Sequence, residues 1–341
     1  MSRRFIAIAS MLAAGCTMQH HYASSQSSAA VVDDHMAHMS ATDMYPERSV
    51  SGSAHRTPSA QDMKLPPSDS GAAARLKASQ RHSEWVKIAY EPGSKDSLMA
   101  WVVYPAINRG GKVPVVVVVH EIFGLSTWIR GVADHVAAEG FIAIAPDFES
   151  RVRGGPSSET LTNDSARKII GGVNVAERNT IIDAAANFAM TQPMAEQKYA
   201  VIGYCWGGGT VFNHAINNGV KGYSGGVAYY GLPPMGGAQR ATATTAAVPG
   251  TFILDSLKKI SKPVMLLNGD PRISTSMPAL DSLMKSLKKD YAATDYPGAA
   301  HGFLRLQDDG GNNPAAALNL AATKDAWPKT VAFLKKNLGV K

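Results

Sequence analysis

The chain has 341 residues, of which 45% are hydrophobic and 18% charged, and its formal net charge is +7. Those proportions are those of a globular protein with a substantial core, and the length allows one large α/β domain or two small ones. Lysines and arginines are scattered or sit in small clusters such as Lys258-Lys259, Lys288-Lys289 and Lys335-Lys336, with no basic stripe interleaved with aromatics, so nucleic acid is excluded as a partner.

The first sixteen residues have the form of an export signal. Ser2-Arg3-Arg4 is a positive start, and Phe5 to Ala14 is an apolar run too short to span a bilayer permanently. Ala13-Ala14-Gly15-Cys16 resembles the lipobox of bacterial lipoproteins. That implies lipidation of Cys16, with the lipid anchor as the only membrane contact. Thr17, rather than Asp, beside it implies a periplasmic position at the outer membrane of a Gram-negative cell. An ordinary signal peptide cleaved nearby, with Cys16 incidental, is the alternative.

Residues 17–82 show no persistent helical or strand period and are rich in Ser, Ala, Asp, His, Met and Pro. Such a segment buries too little apolar area to offset its ordering entropy, so a flexible tether is expected. His20, His21, His35, Met36, His38 and Met39 are a donor mixture that copper can use, but their spacing fits no structured site, and no metal site is assigned.

The folded domain is expected over 83–341. Glu84 to Tyr90 and Leu98 to Tyr104 alternate as strands around a Gly-Ser-Lys-Asp turn and read as an antiparallel hairpin. Val115 to Val119 is apolar without interruption, as a central parallel strand buried on both faces must be. A helix follows over Ile129 to Ala138, then a second buried strand over Phe141 to Ala145. A polar, glycine-rich insertion begins at Arg151, and a long helix runs on to Met190. Further strands are expected at Tyr199 to Gly203, Gly226 to Tyr230, Val264 to Asn268 and Thr294 to Tyr296, with helices over Ala279 to Lys288 and Ala326 to Asn337. This alternation predicts a doubly wound, mostly parallel sheet with an N-terminal antiparallel hairpin and helices on both faces. Ligands then sit at the carboxyl ends of the strands.

The strand at Tyr199 to Gly203 runs into Gly203-Tyr204-Cys205-Trp206-Gly207-Gly208-Gly209 and then a helix start. That is a nucleophile elbow with cysteine in place of the usual serine, although the five residues alone equally suit a buried cysteine in a glycine-rich turn. Two other strand ends carry matching groups. Asp270 follows Leu266-Leu267-Asn268-Gly269, and His301 lies in Pro297-Gly298-Ala299-Ala300-His301-Gly302-Phe303. The order nucleophile, acid, histidine is that of the α/β-hydrolase fold. A thiol attacks only as thiolate, His301 would take and return the proton, and Asp270 would fix the imidazole tautomer. The oxyanion would need the Trp206 amide from the elbow and a second amide from His120-Glu121-Ile122-Phe123-Gly124, the loop after the central strand. His120-Glu121 lacks a second histidine at helical spacing and is no zinc-protease motif. Trp206 and Tyr230 suit pocket lining and core packing equally well.

Gly-Tyr-Cys-Trp-Gly-Gly, His-Glu-Ile-Phe-Gly-Leu, Ala-Pro-Asp, Tyr-Tyr-Gly and Gly-Ala-Ala-His-Gly-Phe together resemble the dienelactone hydrolase family, from about Ser83 to the C-terminus. The resemblance implies an α/β-hydrolase fold and a carboxylic ester or lactone hydrolase without cofactor. It implies Cys205, Asp270 and His301 as the triad and Glu121 as the glutamate that interacts with the resting thiol. Ile122 would supply the second oxyanion amide, and Arg305 would grip a substrate carboxylate. The family's second substrate-binding arginine corresponds most nearly to Arg167, with Arg151 and Arg153 behind it. The Asn-Gly-Asp-Pro-Arg loop departs from the longer glycine-rich loop of the namesake enzymes, so the chemistry transfers better than the named substrate. A monomer acting on a small-molecule ester or lactone is expected. A non-catalytic envelope lipoprotein with a metal-collecting tether is the competing reading. A thiol redox cycle lacks a resolving cysteine.

Overall fold

The computed structural model describes residues 62–106, 111–157, 163–237, 250–308 and 314–340. Cys16, the leader and the His/Met tract lie outside the described residues.

In chain order the elements are α1 (Asp69–Ala78), β1 (Ser83–Ala89), β2 (Ser97–Val103), β3 (Val113–Val119), α2 (Thr127–Ala138), β4 (Ile142–Pro146), α3 (Ser150–Arg153), α4 (Asn163–Gly171) and α5 (Val175–Met190). Then come β5 (Ala195–Tyr204), α6 (Trp206–Asn217), β6 (Tyr223–Tyr229), the short β7 (Met235–Gly236) and β8 (Thr251–Phe252), α7 (Leu254–Lys259) and β9 (Val264–Asn268). The last are α8 (Pro271–Ser274), α9 (Met277–Ser286), β10 (Tyr291–Asp295) and α10 (Pro314–Leu338).

Eight strands form one sheet in the order β1-β2-β4-β3-β5-β6-β9-β10. β1 with β2 and β2 with β4 are antiparallel, and every other pair in the sheet is parallel. This is the doubly wound architecture expected, with the hairpin at one edge. From Pro114 to Val119 every residue of β3 is buried, as is every residue of β4 and β9. The valine run thus fills both faces of a central strand. Helices cover the two faces: α2 and α10 meet through His135 and Trp327, whose rings lie 5.3 Å apart, while α5 packs along α6. Because β3, β5, β9 and β10 run parallel, the loops carrying Glu121, Cys205, Asp270 and His301 leave the same edge of the sheet.

From Asp62 onward the structure contradicts the tether expected over residues 17–82. Asp62–Lys64 form a turn of 3₁₀ helix, and α1 is capped by Ser68, whose side chain accepts from the Gly71 amide. Leu65, Pro66, Pro67 and Ala72 are buried. The Trp128 indole donates to the Pro67 carbonyl at 2.8 Å, and Arg75 donates to the Leu65 carbonyl at 2.7 Å. A Cβ on Gly131 of α2 would lie 2.8 Å from Pro67 and 3.5 Å from the Ala72 Cβ. The two helices therefore approach through small residues, a contact that leaves no hydrophobic period in the sequence. A chain beginning at Ser83 exposes Trp128 and loses these anchors, and it should be less stable than one beginning at Asp62 by about 2 kcal/mol or more. Parallel urea titrations measure the difference, and equal midpoints would show that the segment is only laid on the surface.

Candidate active site

Cys205 sits at φ 58°, ψ −118°, a backbone region that non-glycine residues rarely adopt. The surroundings enforce it. A Cβ on Gly203 would meet the Gly207 carbonyl oxygen at 2.2 Å, one on Gly207 that of Val119 at 2.5 Å, and one on Gly208 that of Tyr229 at 2.4 Å. Only glycine lets β5, α6 and their neighbours close to this distance, and the Cys205 amide is then fixed on the Tyr229 carbonyl at 3.1 Å. The thiol is buried and receives hydrogen bonds from two backbone amides, those of Trp206 and Ile122. These are the two amides expected to form an oxyanion hole.

The Trp206 ring has a different task. It stacks on His120 at 5.9 Å and meets Phe148 edge-on at 5.1 Å, with the Arg178 guanidinium 4.5 Å from its centroid. His120 in turn holds the turn after β3, bonding the Glu121 carbonyl through Nδ1 at 2.6 Å and accepting from the Phe148 amide at Nε2. The indole is packed in the core beneath the loop after β3, while the Trp206 backbone amide bonds the thiol.

His301 bonds Asp270 Oδ2 through Nδ1 at 2.8 Å. With Asp270 ionised, Nδ1 donates and Nε2 carries the lone pair. Burial would push the Asp270 carboxyl up, but hydrogen bonds from His301 and Arg272 outweigh it and hold the acid well below the usual carboxylate range. Asp270 also caps α8, accepting from the Arg272 amide at 2.8 Å, and the Arg272 side chain reaches back to both carboxylate oxygens at 3.0 and 2.8 Å. Asn268 accepts from the Asp270 amide, and its own amide group donates to the Asp270 carbonyl and to Asp295. Burial pulls His301 below the ordinary histidine value, partly opposed by Asp270, so the ring is a neutral base at physiological pH.

Glu121, buried after β3, pairs through Oε2 with Arg305 Nε at 3.2 Å. Burial raises its proton affinity and Arg305 opposes the rise. The Glu121 charge in turn lifts the thiol, which burial has already pushed far above the ordinary cysteine value. At rest Cys205 is a protonated thiol. Arg305 and Arg167 both lie against Phe123, with guanidinium carbons 6.0 and 5.5 Å from its ring centroid, so the structure brings the two expected arginines to one aromatic side chain. The reserve candidates are occupied elsewhere. Arg151 binds Asp96 and Glu177 and stacks on Tyr90 at 3.6 Å, and Arg153 pairs with Glu149 at 3.9 Å.

The profile of the dienelactone hydrolase family matches residues 99–338. The chain belongs to that family. A Synechocystis sp. protein named "Putative carboxymethylenebutenolidase" is 30% identical over 235 residues, covering 67% of this chain and 88% of its own. A Saccharolobus solfataricus protein of the same name is 26% identical over 254 residues, covering 65% and 88%. Among solved structures, a dienelactone hydrolase-like promiscuous phosphotriesterase from metagenomic libraries superposes with a TM-score of 0.55 at 20% identity, over 75% of this chain and 98% of that one. This dienelactone hydrolase family member is thus a hydrolase on the α/β-hydrolase fold.

Sequence reasoning missed three groups around the site, Arg272, Tyr204 and Asp69, and left Tyr230 between pocket lining and core packing. Arg272 was visible only as the residue two beyond Asp270, the spacing at which an N-cap acid meets a side chain of its own first turn. Tyr204 and Tyr230 carry buried hydroxyls without a hydrogen-bond partner among the described residues, and Glu121 acts electrostatically on both. Tyr230 lies 4.8 Å from the His301 ring. Asp69 is the third, a second carboxylate 3.9 Å from Arg305.

Replacing Glu121 by Gln removes the nearest negative charge from the thiol and should lower its pKa. Alkylation of Cys205 by iodoacetamide at pH 7.5 should then speed up by as much as about tenfold for each unit by which the pKa falls. Mass spectrometry of a time course measures it, and an unchanged rate would show that burial alone holds the thiol protonated.

Proposed function

We propose that this protein hydrolyses ester or lactone bonds of small, carboxylate-bearing substrates through Cys205, His301 and Asp270, by way of an acyl-thioester on Cys205. The observation that carries the reading is the convergence of the Ile122 and Trp206 amides on the sulfur of a strained, buried cysteine. Acyl transfer of this kind needs a nucleophile and oxyanion donors that can flank the same carbonyl carbon, and this arrangement supplies both.

His301 Nε2 takes the thiol proton, and the Cys205 thiolate attacks the substrate carbonyl carbon. The carbonyl oxygen, now negative, takes over the hydrogen bonds that the resting sulfur receives from Ile122 and Trp206. Collapse of the tetrahedral adduct expels the alkoxide, which His301 protonates. Water, deprotonated by the same nitrogen, then cleaves the thioester and restores the thiol. Asp270 stabilises the imidazolium at each step, and Arg272 keeps that carboxylate ionised and in place. Glu121 gates the cycle. While it stands near the sulfur it disfavours the thiolate, and a substrate carboxylate that engages Arg305 changes its environment. Arg167, whose Nε is buried without a hydrogen-bond partner among the described residues, is the second cationic contact for that carboxylate.

The leader supports export, with Cys16 as the lipidated residue and the domain tethered at the outer membrane, where it acts as a monomer. No helix among the described residues is long and apolar enough to cross a membrane.

Cys205→Ala should reduce turnover of a p-nitrophenyl ester by at least about a thousandfold, and Cys16→Ala should leave it at the wild-type level. Steady-state kinetics on both variants decide the matter, and activity retained without Cys205 would overturn the proposal.

A further inference from the structure

Residues ahead of the family-matched region reach the pocket's cation. The Asp69 amide donates to the Arg305 carbonyl at 2.9 Å, the Ser70 hydroxyl donates to the Asp308 carbonyl at 3.1 Å, and the Gln307 side chain donates to the Pro66 carbonyl at 2.8 Å. Three hydrogen bonds thus join residues 66–70 to the stretch directly after His301. This attachment brings the Asp69 carboxylate to 3.9 Å from Arg305 Nη1, while Glu121 faces Nε of the same guanidinium at 3.2 Å. The Arg305 side chain is 6% exposed and that of Asp69 33%, so the pair links a buried cation to a partly exposed carboxylate. Besides these two carboxylates, the titratable groups on which Arg305 acts are His301, Cys205 and Tyr230. Asp69 also raises the proton affinity of Glu121.

We propose that Asp69 is a specificity-determining residue: from the N-terminal segment it supplies a second counter-charge to Arg305 and so limits how strongly the pocket prefers an anionic substrate over a neutral one. The inference rests on Arg305 as the carboxylate contact proposed above. A substrate carboxylate must compete with the anions already on the guanidinium, and Glu121 is a competitor that the family-matched domain itself contributes. Asp69 is the addition made by residues 62–78. Its position favours this role over a purely structural one. Ser68 provides the helix cap and the Asp69 backbone provides the link to Arg305, so neither task requires a carboxylate at residue 69.

The test compares two esters that differ only at the far end of the acyl chain, p-nitrophenyl hydrogen adipate and p-nitrophenyl hexanoate, with the full chain. Asp69→Asn keeps the shape and the backbone bond and removes the charge. The adipate-to-hexanoate ratio of kcat/KM should rise about two- to fivefold, the range of a partly exposed ion pair, with the change in KM for adipate. Asp69→Glu should restore the wild-type ratio, and Ser70→Ala, which cuts one link without altering charge, should leave the ratio where it was. Adipate protection of Cys205 against iodoacetamide gives a readout independent of turnover, and half-protection should need less adipate in Asp69→Asn. An unchanged ratio with unchanged protection overturns the proposal, as does an equal shift on both esters. Arg305→Gln separates the two ideas. If it abolishes the wild-type preference for adipate while Asp69→Asn has no effect, the Arg305 reading stands and the Asp69 role falls; if it has no effect, both fall.

Discussion

The structure depends on one close approach of backbone to backbone. β5 and α6 meet so tightly at Gly203 and Gly207 that any side chain there would lie well inside van der Waals contact distance of a carbonyl oxygen. The turn between them must be made by a single residue, and Cys205 makes it at positive φ. Strain of this kind persists only when the surroundings over-determine it. Here they do, through the Tyr229 carbonyl on the Cys205 amide and the Val119 and His120 carbonyls against Gly207. The same packing aims the first amide of α6 at the sulfur and brings the loop after β3 alongside, so the geometry of the thiol and its two amide donors follows from the glycines.

Burial then sets the electrostatics. Within a few residues the site holds a thiol, a carboxylate and an imidazole that are all shifted toward their neutral forms. Asp270 is the exception, and its hydrogen bonds to His301 and Arg272 explain why. The result is a resting state with little charge at the nucleophile and with two arginines gathered at Phe123, Arg305 among them already paired with carboxylates. On the function proposed above, an anionic substrate redistributes charge by bringing a new partner to Arg305. The pocket's charge balance also extends beyond the residues that carry the family motifs, to a carboxylate on α1.

Much of this was legible in the sequence because the relevant signals are local. Short apolar runs marked β3, β4 and β9, and the glycine pattern around Cys205 marked the elbow. Asp270 and His301 were visible because each follows a recognisable strand. What escaped were contacts made by small residues or by tertiary placement. α1 reads as Asp-Ser-Gly-Ala-Ala-Ala-Arg-Leu-Lys-Ala and buries only Ala72, so no apolar stripe announces it. Its partner site is the equally inconspicuous Gly131. β10 begins three residues earlier than its apolar core implied, and α10 starts twelve residues before the stretch whose periodicity marked it, passing through Pro328. Roles set by distant neighbours, such as that of Asp69 toward Arg305, leave no trace in spacing at all.

The central claim is that Cys205 becomes acylated during turnover. Rapid-quench mass spectrometry during hydrolysis of a p-nitrophenyl ester tests it most directly. The account predicts an early burst of p-nitrophenol, together with an acyl adduct on the peptide containing Cys205 that hydroxylamine removes. Turnover with no burst and no adduct on that peptide at any time point would contradict it.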